Sequence, residues 1–163
     1  MKNEPDFNID KAHRWFGVEF NNAIFPLLEK ENRTDEETQQ MIQMAFASTL
    51  HWSRFSGCKI ENRARGENMI ATVLTYAGMK DASIFYAKRN HDIVFSNLDG
   101  VADFDISYAL MIMARAYALN ERFAEAEQFY QQCLDSIDEI KDEEDKKIVQ
   151  SDLNNGPWYG LNE

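Results

Sequence analysis

Apolar residues recur every three or four positions along most of the chain, and long runs of strict alternation are rare. This spacing places apolar side chains on one face of an α-helix, whereas a half-buried strand requires alternation. The pattern therefore predicts an all-α fold of about seven helices. Their approximate ranges are 9–31, 34–53, 61–77, 81–97, 103–120, 123–140 and 143–153.

Individual residues indicate where these helices begin, break or end. Thr34 with Glu37 is typical of a capping box, in which a hydroxyl and a carboxylate each accept a backbone N–H. Asp103 is a candidate N-cap, and Gly78 suits the left-handed residue that closes a helix. Pro26 predicts a kink or break in the first helix, because proline removes a helical hydrogen bond.

Two stretches of the chain place small and bulky residues at matching intervals. In the later stretch these residues are Ala114, Tyr117, Ala126, Tyr130 and Cys133; 43 positions earlier, Ala71, Leu74, Ser83 and Ala87 match the first four. Residues 108–134 resemble the tetratricopeptide pattern, with Glu121 in place of the usual turn glycine. The resemblance implies antiparallel helix hairpins at about 61–97 and 104–140, forming a right-handed superhelix or a compact helical bundle.

Composition favours a single globular domain spanning residues 1–163. Hydrophobic residues make up 44% of the chain, and the 17 basic and 28 acidic residues give a net charge of −11. That charge repels the phosphates of nucleic acid and the anionic surface of a membrane, so neither is an expected partner. Cys58 and Cys133 are isolated and predicted to be reduced thiols. We expect a cytoplasmic protein.

Beyond the repeat, the whole chain resembles a bacterial family of small helical proteins to which no activity is assigned. The segments that carry this resemblance are His51-Trp52, Gly57, residues 62–67, Gly78, residues 103–105, residues 114–116, Glu144-Asp145, Asp152 and Trp158. Phe46 departs from it, since a histidine is expected there. The resemblance implies a helical fold and no reaction.

The sequence contains no arrangement typical of a catalytic, metal or cofactor site. His13, His51 and His91 lie on three different predicted helices, without the spacing that places two ligands on one helical face. The acidic run 142–145 is explained by the positive end of the last helix. His91 falls on an apolar stripe and is expected to be buried, with its ring nitrogen hydrogen-bonded.

The favoured hypothesis is a protein-interaction module that binds a peptide or partner protein in a helical groove. In the tetratricopeptide register, the groove-facing residues are Arg65, Asn68, Thr72, Tyr76, Tyr108, Met111 and Arg115. Two arginines there favour an acidic partner, unless Glu67, Asp103 or Asp105 neutralises them within the bundle.

Two further hypotheses remain open. The first is a small-ligand pocket or unrecognised enzyme site near Arg65, formed by His51, Trp52, Asn62, Asp103 and Asp105. The second is a structural homo-oligomer that assembles through an exposed apolar terminus. The polar cluster at residues 62–67 is compatible with a structural role, because polar groups at helix junctions need partners.

Overall fold

The computed structural model describes residues 6–161, and helices are the only regular secondary structure in that range. The α-helices are α1 (Ile9–Asn22), α2 (Phe25–Leu28), α3 (Asp35–Arg54), α4 (Ile60–Tyr76), α5 (Lys80–Phe95), α6 (Asp103–Leu119), α7 (Phe123–Asp138) and α8 (Glu143–Asn155). A short 3-10 helix, Leu98–Gly100, lies between α5 and α6. The all-α prediction is confirmed, and the helices pack as a compact bundle.

The first predicted helix is in fact two helices. α1 ends at Asn22, and Pro26 lies in the first turn of α2. Proline is tolerated in a first turn because its missing N–H would have no helical acceptor there. The predicted break is therefore confirmed, and it lies at Ala23 and Ile24, before the proline.

The predicted starts of α3 and α6 have different outcomes. Thr34 forms the capping box: its hydroxyl accepts the Glu37 N–H at 3.2 Å, and the Glu37 carboxylate accepts the Thr34 N–H at 2.9 Å. The assignment of Asp103 as N-cap is wrong, because Ala102 holds that position. Asp105 instead reaches back and accepts the Ala102 N–H at 3.0 Å.

The turns that end α4 and α6 share one conformation. Gly78 and Glu121 both have a positive φ, of 71° and 61°. After α4, the Met79 N–H donates to the Leu74 carbonyl at 2.9 Å; after α6, the Arg122 N–H donates to the Tyr117 carbonyl at 3.0 Å. These are the contacts of a helix closed by a left-handed residue, and they recur 43 positions apart, as in the sequence alignment.

Helix α6 lies at the centre of the bundle. Of its 17 residues, 13 are buried. It packs against α4, α5, α7 and α8, while α1 packs on α3 and α3 on α4. Ala109, Ala114, Ala116 and Ala118 are fully buried on α6, and such small side chains let neighbouring helices approach closely.

The buried face of α5 does not include His91. Its buried residues are Ser83, Ala87, Asn90 and Val94. The expectation of a buried His91 is wrong: its side chain is 27% exposed and stacks on Phe95, with ring centroids 4.2 Å apart. Its Nδ1 lies 3.8 Å from the Asp92 carboxylate, too far for a hydrogen bond. Asn90 is the buried polar residue, and its amide donates to the Ala64 carbonyl at 2.8 Å.

The two left-handed turns give a reciprocal stability test. Gly78→Ala should lower the free energy of unfolding by about 1 kcal/mol, because an L side chain is strained at this φ even where its Cβ meets no atom within 4 Å. Glu121→Gly should raise the melting temperature, because it removes the same strain. Urea and thermal unfolding measure both changes.

Glu121→Ala is the matched control for this pair. The Glu121 carboxylate lies 2.6 Å from Lys80 Nζ, so alanine loses the ion pair and keeps the strained conformation. We expect it to be no more stable than the wild type. A Gly78→Ala protein as stable as the wild type would contradict the strain in these turns.

Candidate functional site

One cavity of about 1090 Å³, partly open to solvent, contains all seven residues predicted to face a groove. Arg65, Asn68, Thr72 and Tyr76 line it from α4, and Tyr108, Met111 and Arg115 line it from α6. Spacings of three and four put each set on one helical face. We call this cavity the groove, with α4 and α6 as its floor.

Two segments outside the floor form the walls of the groove. One is α2 with the loop that follows it, up to Arg33; the other is the end of α8 with the chain up to Tyr159. The first wall is held by Arg33, whose Nη1 donates to the carbonyls of Leu27, Leu28 and Lys30 at 2.8, 3.1 and 3.1 Å. Sequence reasoning did not predict Arg33, although a cation that binds the last carbonyls of a helix is a known way to end one.

The second wall crosses from α8 back to α4. The Tyr159 hydroxyl donates to the Thr75 carbonyl at 2.7 Å, and the Trp158 indole N–H donates to the Leu153 carbonyl at 3.0 Å. Burial raises the pKa of Tyr159 to about 12. Both aromatic side chains are half-buried against their own chain. Self-assembly through an exposed apolar terminus stays a prediction.

Arg65 is neutralised within the bundle. Its Nε and Nη2 donate to the two carboxylate oxygens of Asp105 at 2.8 and 3.0 Å. Such a paired contact is strong and fixes the geometry of both groups. It also raises the pKa of Arg65, mainly through the hydrogen bond to Asp105. The structural account of this arginine is therefore correct, with Asp105 rather than Asp103 or Glu67 as its partner.

Arg115 has a different environment. It is only 5% exposed, and none of the carboxylates in residues 6–161 lies within salt-bridge distance of it. Its Nη2 donates to the backbone carbonyl of Asp152 at 2.5 Å, and its guanidinium lies 4.9 Å from the Trp158 ring centroid. Its Nε is enclosed without an acceptor. Burial lowers the pKa of Arg115.

The Asp152 carboxylate binds a tyrosine instead of Arg115. The Tyr108 hydroxyl donates to Asp152 Oδ2 at 2.5 Å. Burial, followed by this contact, raises the pKa of Tyr108. Asp152 therefore joins α8 to α6 twice, through its side chain to Tyr108 and through its carbonyl to Arg115.

Asn68 connects the two floor helices in the middle of the groove. Its amide donates to the Tyr108 carbonyl at 3.2 Å and to the Asn90 side chain at 3.3 Å. Thr72 bonds only within its own helix, to the Asn68 carbonyl at 2.9 Å. Asn68 is thus fixed by tertiary contacts. Thr72 makes no such contact, and it contributes only to the shape of the floor.

The alternative pocket is not assembled. His51 and Trp52 instead fix α1 on α3. His51 Nδ1 lies 2.9 Å from His13 Nδ1. Gly17 packs directly on the Trp52 ring, where an added Cβ would lie 3.0 Å from the ring atoms. Asn62 caps α4 by accepting the Lys59 N–H at 2.9 Å, and Asp103 accepts the Lys141 N–H at 3.1 Å. Of that set, only Asp105, with Arg65, lines the groove.

The polar cluster at residues 62–67 divides among separate structural contacts. Asn62 caps its helix, Arg65 pairs with Asp105, and the Glu67 carboxylate accepts two hydrogen bonds from Arg89 at 2.7 and 3.0 Å. Gly66 packs on Thr49, where an added Cβ would lie 2.9 Å from the hydroxyl oxygen. Among residues 6–161, no three histidine, cysteine or acidic side chains group in a way that could hold a metal ion.

No protein-family model, curated protein or solved structure matches this chain. The resemblances to tetratricopeptide repeats and to small bacterial helical proteins stay predictions. The candidate site is therefore defined by its geometry alone.

The Arg65–Asp105 pair gives a test of the groove's rigidity. Asp105→Asn should lower the free energy of unfolding by about 1–3 kcal/mol, because it leaves a buried, weaker acceptor opposite Arg65 and at the start of α6. Asp103→Asn is the control, since Asp103 bonds to backbone at an exposed helix junction. Equal losses for the two variants in urea unfolding would contradict the role given to Asp105.

The His13–His51 contact gives a prediction on pH. Burial, then His13 and Arg54, lowers the pKa of His51 below its ordinary value of 6.5. The unfolded chain therefore takes up this proton first as pH falls, so the free energy of unfolding should be level above about pH 7 and decline below pH 6.5. Thermal unfolding at pH 7.5 and 5.5 measures the decline. His51→Gln should reduce it, and His91→Gln should leave it as in the wild type; the reverse result would refute the assignment.

Proposed function

We propose that this protein is an interaction module that binds a segment of a partner protein in the groove formed by α4 and α6. The observation that carries this proposal is that seven residues from two helices line one cavity of about 1090 Å³. Small-molecule pockets occupy roughly 300–1,000 Å³, so the groove lies at or above their upper limit. A peptide segment is the better match in size.

The surface of the groove also suits a peptide. Tyr76 and Tyr108 provide aromatic area, and Met111 adds an adaptable apolar side chain. Arg65 and Asn68 add polar groups to the same lining, and such a mixture is typical of sites that bind both side chains and backbone. An acidic segment is favoured, because Arg115 lacks a carboxylate partner within the described chain.

A cytoplasmic location belongs to the same proposal. Cys58 and Cys133 are both free thiols, as is usual in a reducing compartment. In residues 6–161, no helix has both the length and the apolar character to cross a bilayer.

A groove-filling substitution tests the proposal. Peptides are selected from a random display library on the wild-type protein, synthesised, and measured by calorimetry. Thr72→Trp should weaken them by about tenfold or more, because the indole occupies the floor while Thr72 has no bond outside its own helix. Gln43→Trp, on an exposed position of α3, should bind as the wild type does.

Circular dichroism establishes that both variants fold. The proposal fails if the wild type selects no peptide, or if the selected peptides bind Thr72→Trp with unchanged affinity. Binding confined to small molecules would favour the small-ligand hypothesis, relocated from His51 to the groove.

A further inference from the structure

Two guanidinium groups line the groove without a carboxylate partner. Lys30 pairs with Glu37 and Arg65 with Asp105, whereas Arg33 and Arg115 form no salt bridge among residues 6–161. Arg33 lies over the Tyr76 ring, 5.7 Å from its centroid. Burial raises the pKa of Tyr159, and the positive charges of Arg115 and Arg33 each act to lower it. Both guanidinium groups are therefore close enough to interact electrostatically with Tyr159, in the second wall.

Arg115 is costly to keep in this position. A cation that is 5% exposed has lost most of its hydration, and no carboxylate among residues 6–161 forms a salt bridge that would offset the loss. Of its three nitrogens, Nη2 bonds to the Asp152 carbonyl, and Nε is enclosed without an acceptor. A neutral donor would satisfy that single carbonyl, and the Trp158 ring, 4.9 Å from the guanidinium, offers the charge a weaker contact than a paired anion would.

We infer that Arg115 is an anchor for a carboxylate group of the ligand, which enters the groove between Tyr76 and Tyr159. This inference rests on the groove being the binding surface proposed above. A carboxylate supplies the anion that Arg115 lacks and accepts hydrogen bonds from it, while Arg33 adds a second positive charge at the same end of the groove. The aromatic walls exclude water and strengthen the contact.

The charges of the groove favour a monoanion over a phosphate dianion. Four basic residues line it, Lys30, Arg33, Arg65 and Arg115, against four acidic ones, Glu29, Glu31, Asp105 and Asp152. Asp152 lies beside Arg115 and binds Tyr108, so a second negative charge on the ligand would be repelled. The ligand group is therefore a carboxylate, from a chain terminus or from an aspartate or glutamate side chain.

Benzoate and benzamide are matched probes for this site, because they share shape and differ in charge. Benzoate should bind with a dissociation constant of about 1 mM, typical of a fragment of this size. In ¹⁵N-resolved NMR spectra it should shift the Arg115 Nε–H and Trp158 indole N–H signals, whereas benzamide should not. Equal shifts from the two probes, or none from benzoate, would overturn the inference.

Variants assign the contact to Arg115. Arg115→Gln should weaken benzoate about tenfold, and Arg115→Lys should retain part of the affinity because it keeps the charge. Arg63→Gln removes an exposed arginine outside the groove and serves as control. Arg33→Gln provides the test if Arg115→Gln does not fold. It should weaken benzoate binding about threefold through the lost charge. Unchanged benzoate affinity in Arg33→Gln would then refute the inference.

Peptides separate this inference from the proposed function. Each selected peptide is compared with its C-terminal amide and with a version whose acidic side chains are replaced by amides. Loss of binding in the C-terminal amide identifies a terminal carboxylate. Loss of binding in the version with side-chain amides identifies a side-chain carboxylate. Peptides that bind equally in all forms would leave the groove proposal standing and refute the carboxylate. Benzoate binding at Arg115 without any selected peptide would support the carboxylate site and refute the groove as a peptide-binding surface.

Discussion

The enclosure of α6 by its neighbours is the constraint on which the rest of the structure depends. A helix packed against α4, α5, α7 and α8 has no solvent to satisfy its polar side chains, so each needs a partner inside the bundle. Asp105, Ser107 and Arg115 are the buried polar residues of this helix. Asp105 fixes α4 through Arg65, and Arg115 fixes α8 through the Asp152 carbonyl. The polar minority of α6 therefore determines where its neighbours lie.

The groove is a consequence of the same packing. α4 and α6 contact each other directly, and each also packs against α5, which leaves their remaining shared face to form a floor. Asn68 bonds to the Tyr108 carbonyl across this floor, so the two helices hold a fixed spacing there. The walls come from segments outside the repeated hairpins, where Arg33 ends α2 and Tyr159 binds the end of α4. Floor and walls thus have separate origins in the chain.

The floor of the groove could be predicted from the sequence because the spacing of residues within one helix defines which of them share a face. The spacing of Arg65, Asn68, Thr72 and Tyr76 defines a face by itself, but α6 is apolar nearly all round, and periodicity cannot orient such a helix. Only the 43-residue alignment placed Tyr108, Met111 and Arg115 on the groove side. The same alignment placed Glu121 at a glycine position, and its positive φ of 61° agrees.

The walls could not be predicted, because they depend on contacts between distant parts of the chain. Tyr159 and Thr75 are 84 residues apart, and His13 and His51 are 38 apart. No local pattern signals either pair. The sequence left Asp103 and Asp105 open as partners of Arg65 for a related reason. The two carboxylates lie two residues apart at a helix start, and only the packing of α4 decides which one faces Arg65.

Gly156 shows how closely the wall and Arg115 are coupled. In the sequence, Gly156 with Pro157 explains why α8 ends, and α8 does end at Asn155. Its φ of −85° is open to any residue, so conformation does not require glycine there. A Cβ at this position would lie 1.7 Å from Arg115 Nη2, so any side chain here would displace the buried guanidinium from its present position. The glycine therefore permits the close approach of the backbone to the guanidinium, which couples the second wall to the buried charge.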